Sequence, residues 1–360
     1  MTNYEMDVDS LLKKIKSKQP ANKYYAYIKL RKNIIYSNDK DTEIQNSKRK
    51  FLDNQTSKEK IIMKELEIFD SFKIPFIGMK GPFVKSEFYG HIPRSYNDLD
   101  LLVEAKNVSV FYKALKTAGY RIKKKTYYDV PNINMKLFPE KYMNNTQTLM
   151  LINTDKNISI DMHCNLNITN VHFKKSDVQF STSKLFENSI PYRNFHFIRQ
   201  FDLYDNICFS IRHLLKHHVF YGKTQQGLGT MVQHILDLAM MINSKDFNEE
   251  KLLYRVIQYN IMPEALFCLD LYNKIFISFK KVTLNYYLSY VENANVKFKW
   301  KPIVLASIKM NPEDIMIGDF SDQFPTLQKA IDFSNSLPKF WMNWIIQRLF
   351  ISLNIKLFLR

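Results

Sequence analysis

Asp98-Leu99-Asp100-Leu101-Leu102-Val103 is the stretch whose reading decides the fold. Acidic and apolar residues alternate at its start and Glu104 closes it, so a short β-strand carrying acids is expected. Residues two apart in a strand share a face, which puts Asp98 and Asp100 on one side and Leu99, Leu101 and Val103 on the other. The two acidic positions then stand about 6–7 Å apart. At an effective dielectric of about 20, two negative charges at that spacing repel by roughly 2–3 kcal/mol. Asp is also disfavoured in strands. A strand that carries both costs suits a divalent cation, which converts the repulsion into coordination, and hard oxygen ligands select magnesium or manganese. An edge strand with two solvated acids is the competing reading of Asp-Leu-Asp taken alone.

Upstream, Ile61, Ile62, Leu66, Ile68 and Phe69 recur at roughly helical spacing over residues 57–72, and Ile74-Pro75 ends that helix. The polar stretch 38–50 reads as a loop or a weakly ordered connection. Residues 76–79 form a short apolar strand, broken by Lys80-Gly81-Pro82, and helical spacing returns over 83–89. Downstream, residues 108–118 read as a helix with Gly119 at its C-terminal cap, and Tyr120 opens an extended segment. Two further extended runs, 146–153 and 157–165, flank Thr154-Asp155-Lys156 and read as a hairpin. In the second run Ser159, Asp161 and His163 share one face, while Ile158, Ile160 and Met162 share the other. If the two acid-bearing strands are neighbours, three carboxylates converge, an arrangement able to place two metal ions about a transferring phosphoryl group. Asp161 is then also suited to take the proton of an attacking hydroxyl. A lone exposed Asp on an edge strand is its alternative.

Beyond about residue 181 the pattern turns helical, over 203–219, 231–242, 252–259 and 263–277. The expected organisation is an N-terminal helical segment (1–56), an α/β core (57–185) and a mainly helical domain (186–360). With 360 residues, 46% of them hydrophobic, the chain can bury real cores. Its formal charge of +17 and pI near 9.4 make the surface attractive to polyanions, although an AT-rich coding composition that enriches Lys, Asn, Ile, Phe and Tyr accounts for the charge equally well. Cys164, Cys208 and Cys268 are widely spaced and form neither a disulfide framework nor a zinc pattern. Residues 1–10 lack a basic region followed by an apolar one, so no signal peptide is expected and a cytoplasmic home follows. The apolar run 340–359, with Trp341 and Trp344, is interrupted by Gln347, Arg348, Asn354 and Lys356, so an amphipathic helix rather than a transmembrane span is expected.

Lys80-Gly81, Arg94, the Asp98–Val103 strand, a helix ending at Gly119-Tyr120, and Ile160-Asp161-Met162-His163 together resemble the signature of the uncharacterised bacterial nucleotidyltransferase family, within the polymerase beta superfamily. The resemblance covers about residues 57–240 and is loose over its last part, where it rests on His213, His217 and Leu236-Asp237-Leu238-Ala239. It implies an α+β fold, with a small mixed sheet flanked by helices followed by a mainly helical C-terminal domain. On the sheet's acidic face a nucleoside triphosphate, ATP among the candidates, would sit with two magnesium (or manganese) ions. Asp98 and Asp100 would bind metal, and Asp161 would match the third catalytic carboxylate. Lys80-Gly81 stands where better-known members carry Gly-Ser, so phosphate contacts would come from backbone N–H groups, Lys80 and the bidentate guanidinium of Arg94.

Cys164 replaces the usual aromatic after Asp-X-His and reads as a small core residue. His163 either orients Asp161 or is a structural histidine, and His213 and His217, one helical turn apart, are candidates for a supporting layer. The expected activity is transfer of a nucleoside monophosphate to an acceptor hydroxyl on a small molecule, a protein or an RNA. The alternative is an inactive protein of the same fold that binds nucleic acid or an anionic membrane surface.

Overall fold

The computed structural model describes residues 42–90, 94, 96, 98–123, 149–166, 180–221, 225–276 and 279–293. The chain divides into two compact units, one of Leu52–Asn206 and the other of Met1–Phe51 with Ile207–Arg360. The first is built from α1 (Thr42–Ser71, whose first ten residues precede the unit boundary), β1 (Phe76–Met79), α2 (Gly81–Val84) running into a π turn (Lys85–Tyr89), β2 (Asp98–Val103), α3 (Val108–Thr117), β3 (Arg121–Ile122), β4 (Leu149–Asn153), β5 (Ile158–His163), α4 (Thr182–Asn188), β6 (Ile190–Pro191) and β7 (Ile198–Gln200). Its seven strands form one mixed sheet in the order β3-β4-β5-β2-β1-β7-β6. β2 runs parallel to β5 and β1 parallel to β7; the remaining pairs are antiparallel. The architecture is the mixed α+β sheet flanked by helices that the sequence leads one to expect.

α1 begins well before residue 57, overturning the loop expected over 38–50 for its part from Thr42 onward. Residues 42–56 are polar, but they contain no Gly or Pro and several good helix formers. Polarity argues against burial, not against helix. Farther along, Ile62, Leu66 and Phe69 lie on one stripe and are buried. They join Leu99, Leu101 and Val103 of β2, Ile158, Ile160 and Met162 of β5, and Phe111 and Leu115 of α3 in one hydrophobic core. Phe69, Phe76, Phe111 and Tyr120 meet there at ring separations of 5.3 to 6.4 Å. α3 closes on Gly119, at φ 92, with the Tyr120 N–H returning to the Leu115 carbonyl at 3.0 Å.

The sheet continues past residue 185 through β6 and β7, where residues 186–360 were expected to be mainly helical. Three residues in β7 are too few for alternation to register in sequence. β7 is fixed instead by a remote contact, since the carboxylate of Asp70 accepts the Phe197 N–H at 2.7 Å and the His196 N–H at 3.3 Å. The hairpin appears as β4 and β5 in antiparallel register, Leu151 opposite Ile160, with Asn157 in the left-handed region at φ 53.

The other unit is helical as far as it is described: α5 (Leu203–Tyr221, which begins at the unit boundary), α6 (Gln225–Ile242), α7 (Glu249–Tyr259), α8 (Met262–Ile275) and α9 (Asn285–Asn293). α8 is buried on nearly every side. α7 starts on Asn248, whose side chain accepts the Lys251 N–H at 2.9 Å. Cys164, Cys208 and Cys268 are buried free thiols. Among the described residues no helix is long and apolar enough to cross a membrane. The run 340–359, with Trp341 and Trp344, lies outside them.

Between β1 and α2 the packing leaves no tolerance: a Cβ on Gly78 would fall 2.0 Å from the Phe83 ring. Gly78→Ala is therefore expected to destabilise the protein by about 1–3 kcal/mol through overpacking. Phe83→Leu in the same chain should recover part of that loss in a thermal-melt double-mutant cycle. Additive losses would contradict the contact.

Candidate functional site

β2 and β5 lie side by side with Asp98 opposite Ser159, Asp100 opposite Asp161, and Leu102 opposite His163. Leu99, Leu101, Ile160 and Met162 fill the core, so Asp98, Asp100, Asp161 and His163 belong to the opposite face. On the other side of β2, Met79 stands opposite Asp100, and the next residue, Lys80, leaves the sheet at that point. The Lys80 ammonium lies 3.2 Å from Asp100 Oδ1, and His163 Nε2 lies 3.5 Å from the same oxygen. Asp100 is 7% exposed. The topology thus brings Asp98, Asp100, Asp161, His163 and Lys80 together.

The three carboxylates do not share one electrostatic state. Burial opposes ionisation of Asp100, but the charge of Lys80 and the His163 imidazole outweigh it and hold the carboxyl well below the usual range. Asp161 goes the other way, pushed up to about 8 by burial and by the negative charges of Asp100 and Asp98, with Lys80 and Lys123 offsetting part of the effect. Asp98 is raised too, first by burial and then by Asp100, against Lys80 and Lys58. Lys80 is thus a cation that acts on all three. Asp161 Oδ1 is buried and has no hydrogen-bond partner among the described residues. An orphaned carboxylate oxygen beside two more carboxylates is a donor set that suits a hard divalent cation. Among the described residues, no three His, Cys, Asp or Glu side chains form a preassembled metal cage.

The turn that carries Lys80 is strained. Lys80 sits at φ 53 and ψ −151, a region costing a non-glycine residue on the order of 1–3 kcal/mol. Pro82 has no N–H, and the Phe83 and Val84 N–H groups donate to the Lys80 carbonyl. Two of the four backbone donors over residues 80–84 are therefore spent, and a phosphate placed here would draw on side chains as well. Arg94 is buried; it donates from Nη1 to the Gly81 carbonyl at 3.2 Å, with its guanidinium 6.0 Å from the Tyr89 ring centre. The structure thus ties the arginine to the Lys80-Gly81 turn.

Lys58 and Lys123 were not singled out from the sequence. Lys58 donates to the Tyr96 carbonyl at 2.6 Å, and burial lowers its pKa against the pull of Asp98. Lys123 lies just past β3 and acts on Asp161. In a lysine-rich chain neither has a local pattern that distinguishes it; only the tertiary fold does. His213 belongs to the other unit, stacked on Phe209 and 4.5 Å edge-on to the His234 ring. His217 lies on α5, with its side chain outside the described residues. Cys164 is buried and its thiol is pushed up to about 11 by desolvation, as suits a core residue and not a nucleophile.

A family model described as uncharacterised nucleotidyltransferase matches residues 32–277, more than half of the chain. No curated protein and no solved structure matches it.

The raised Asp161 pKa makes stability depend on pH. Between the ordinary value of 3.8 and about 8 the folded protein holds a proton that the unfolded chain has released, so stability falls as pH rises through that window. Asp98 shifts in the same direction and adds to the slope. In chelator, the melting temperature should fall by at least a few degrees from pH 5 to pH 8, and Asp161→Asn should flatten the trend. An equally steep fall in Asp161→Asn would contradict the assignment.

Proposed function

Since the chain belongs to the uncharacterised nucleotidyltransferase family, we propose that it transfers a nucleoside monophosphate from a nucleoside triphosphate, ATP being the first candidate, to an acceptor hydroxyl. The observation that carries this reading is the register of β2 against β5, which sets Asp100 opposite Asp161 on one sheet face with Asp98 two residues away.

In this reading Asp98, Asp100 and Asp161 hold magnesium or manganese. When bound, the ion neutralises the charge that builds on the phosphates. Lys80 contacts the triphosphate as a point charge. Arg94 holds the turn that aims Lys80, and its link to the Gly81 carbonyl makes it a positioning residue. His163 fixes the orientation of Asp100. The acceptor oxygen attacks the α-phosphorus and forms the new P–O bond. The bond from the α-phosphorus to the bridging oxygen breaks, and pyrophosphate leaves with the electron pair. Asp161, ionised once positive charge enters the site, takes the hydroxyl proton. Such transfers depend mainly on positioning and electrostatics, which the carboxylates and lysines supply.

A second reading draws on the net charge of +17 and on the two backbone donors, of Phe83 and Val84, committed at the Lys80-Gly81 turn: a protein of this fold that binds polyanions without turnover. Incubation with cell extract and triphosphates labelled at the α-phosphate separates the two. Label should become covalently attached to an acceptor in the presence of magnesium, whereas γ-label should not. Asp98→Asn and Asp100→Asn should each lower the rate by about 100-fold or more. Binding that depends only on ionic strength, with no transfer of label, would establish the second reading instead.

A further inference from the structure

We propose that Lys80 is a displaceable counter-ion: its ammonium occupies the cation position beside Asp100 until a divalent ion arrives, and then moves to the triphosphate, so that metal and nucleotide bind cooperatively. This rests on the reading of the site as a metal-dependent nucleotidyltransferase centre.

Three features lead to it. The ammonium is 3.2 Å from Asp100 Oδ1, on a carboxylate only 7% exposed, so it stands where a cation bound to Asp100 would have to come. The backbone of Lys80 is held at φ 53 and ψ −151 by a turn whose Gly81 carbonyl accepts from buried Arg94, so the stem is fixed at its root. From that root extends a four-carbon chain with rotatable bonds, and an ammonium, unlike a guanidinium fork, can exchange one anionic oxygen for another without a fixed geometry. Finally, the Phe83 and Val84 N–H groups are committed to the Lys80 carbonyl, which removes two backbone donors from any phosphate at this turn and leaves more of its charge to be met by the ammonium. With one ammonium shared by two anionic partners, metal displaces it from Asp100 and the triphosphate gives it a new partner. Each ligand then strengthens the other by the same factor.

The test uses the full chain and manganese as the metal, followed by electron paramagnetic resonance with and without a non-hydrolysable triphosphate. Wild type should bind manganese weakly alone and about tenfold or more tightly with nucleotide. Lys80→Met should bind manganese alone about tenfold more tightly than wild type and lose most of the coupling. Lys80→Arg, which keeps a cation there, should stay near the wild-type metal affinity. Lys123→Met removes a different charge, one that acts on Asp161. It should change metal affinity by no more than about threefold, a fraction of the coupling expected through Lys80.

Unchanged metal affinity in Lys80→Met, or an equal gain in Lys123→Met, overturns the proposal while leaving the metal site standing. Manganese binding that is undetectable in every variant, or unaffected by Asp98→Asn with Asp100→Asn, overturns the underlying functional reading as well. Amine footprinting of the wild-type chain gives a readout that needs no variant. Labelling of Lys80 should rise when manganese is added alone and fall again with triphosphate, and a Lys80 reactivity indifferent to manganese refutes the displacement.

Discussion

The structure depends on a conflict between like charges. Asp100 and Asp161 stand opposite each other on parallel neighbouring strands, with Asp98 on the same face, in surroundings dry enough to push Asp161 up to about 8. Such a cluster is unfavourable on its own, and the fold around it is arranged to impose it. The other face of β2 and β5 is fully apolar, and a one-residue slip of register would turn the acids into the core and Leu99, Leu101 and Ile160 out of it. The hydrophobic core therefore fixes the position of the carboxylates, and the site inherits its precision from packing on the far side of the sheet.

Much of this was legible in the sequence because it is periodic. The strands 76–79 and 98–103 appear with the expected bounds, the hairpin strands lie inside the expected runs, and α3 ends at Gly119. Alternation shows which residues share a face, so Asp98 with Asp100 and Asp161 with His163 could be paired strand by strand. Adjacency could not. That β5 lies next to β2, and that residue 100 meets residue 161, is a property of the sheet order. The same limit applies to β7, which is held by the distant Asp70, and to Lys58, which reaches the site from α1. The helix over 42–50, where a loop was expected inside an N-terminal helical segment, was missed for another reason, because so polar a stretch shows no clear amphipathic period.

The Lys80-Gly81 pair at the first turn gives the acidic face its own cation. The turn commits the Phe83 and Val84 N–H groups internally and presents an ammonium to Asp100. The strain at Lys80 and the buried guanidinium of Arg94 both serve to hold that ammonium among the acids. The cation and two of the acids thus come from one continuous segment, β1 through α2 to β2, to which β5 adds the third acid.

The central claim is that these three carboxylates form a cation-binding centre. Anomalous scattering from crystals of the full chain grown with manganese and a non-hydrolysable triphosphate tests it most directly. A peak at coordination distance, about 2 Å, from carboxylate oxygens of Asp98 and Asp100, with Asp161 beside it, is the predicted result. Nucleotide bound elsewhere, or manganese absent from this face of the sheet, would contradict it.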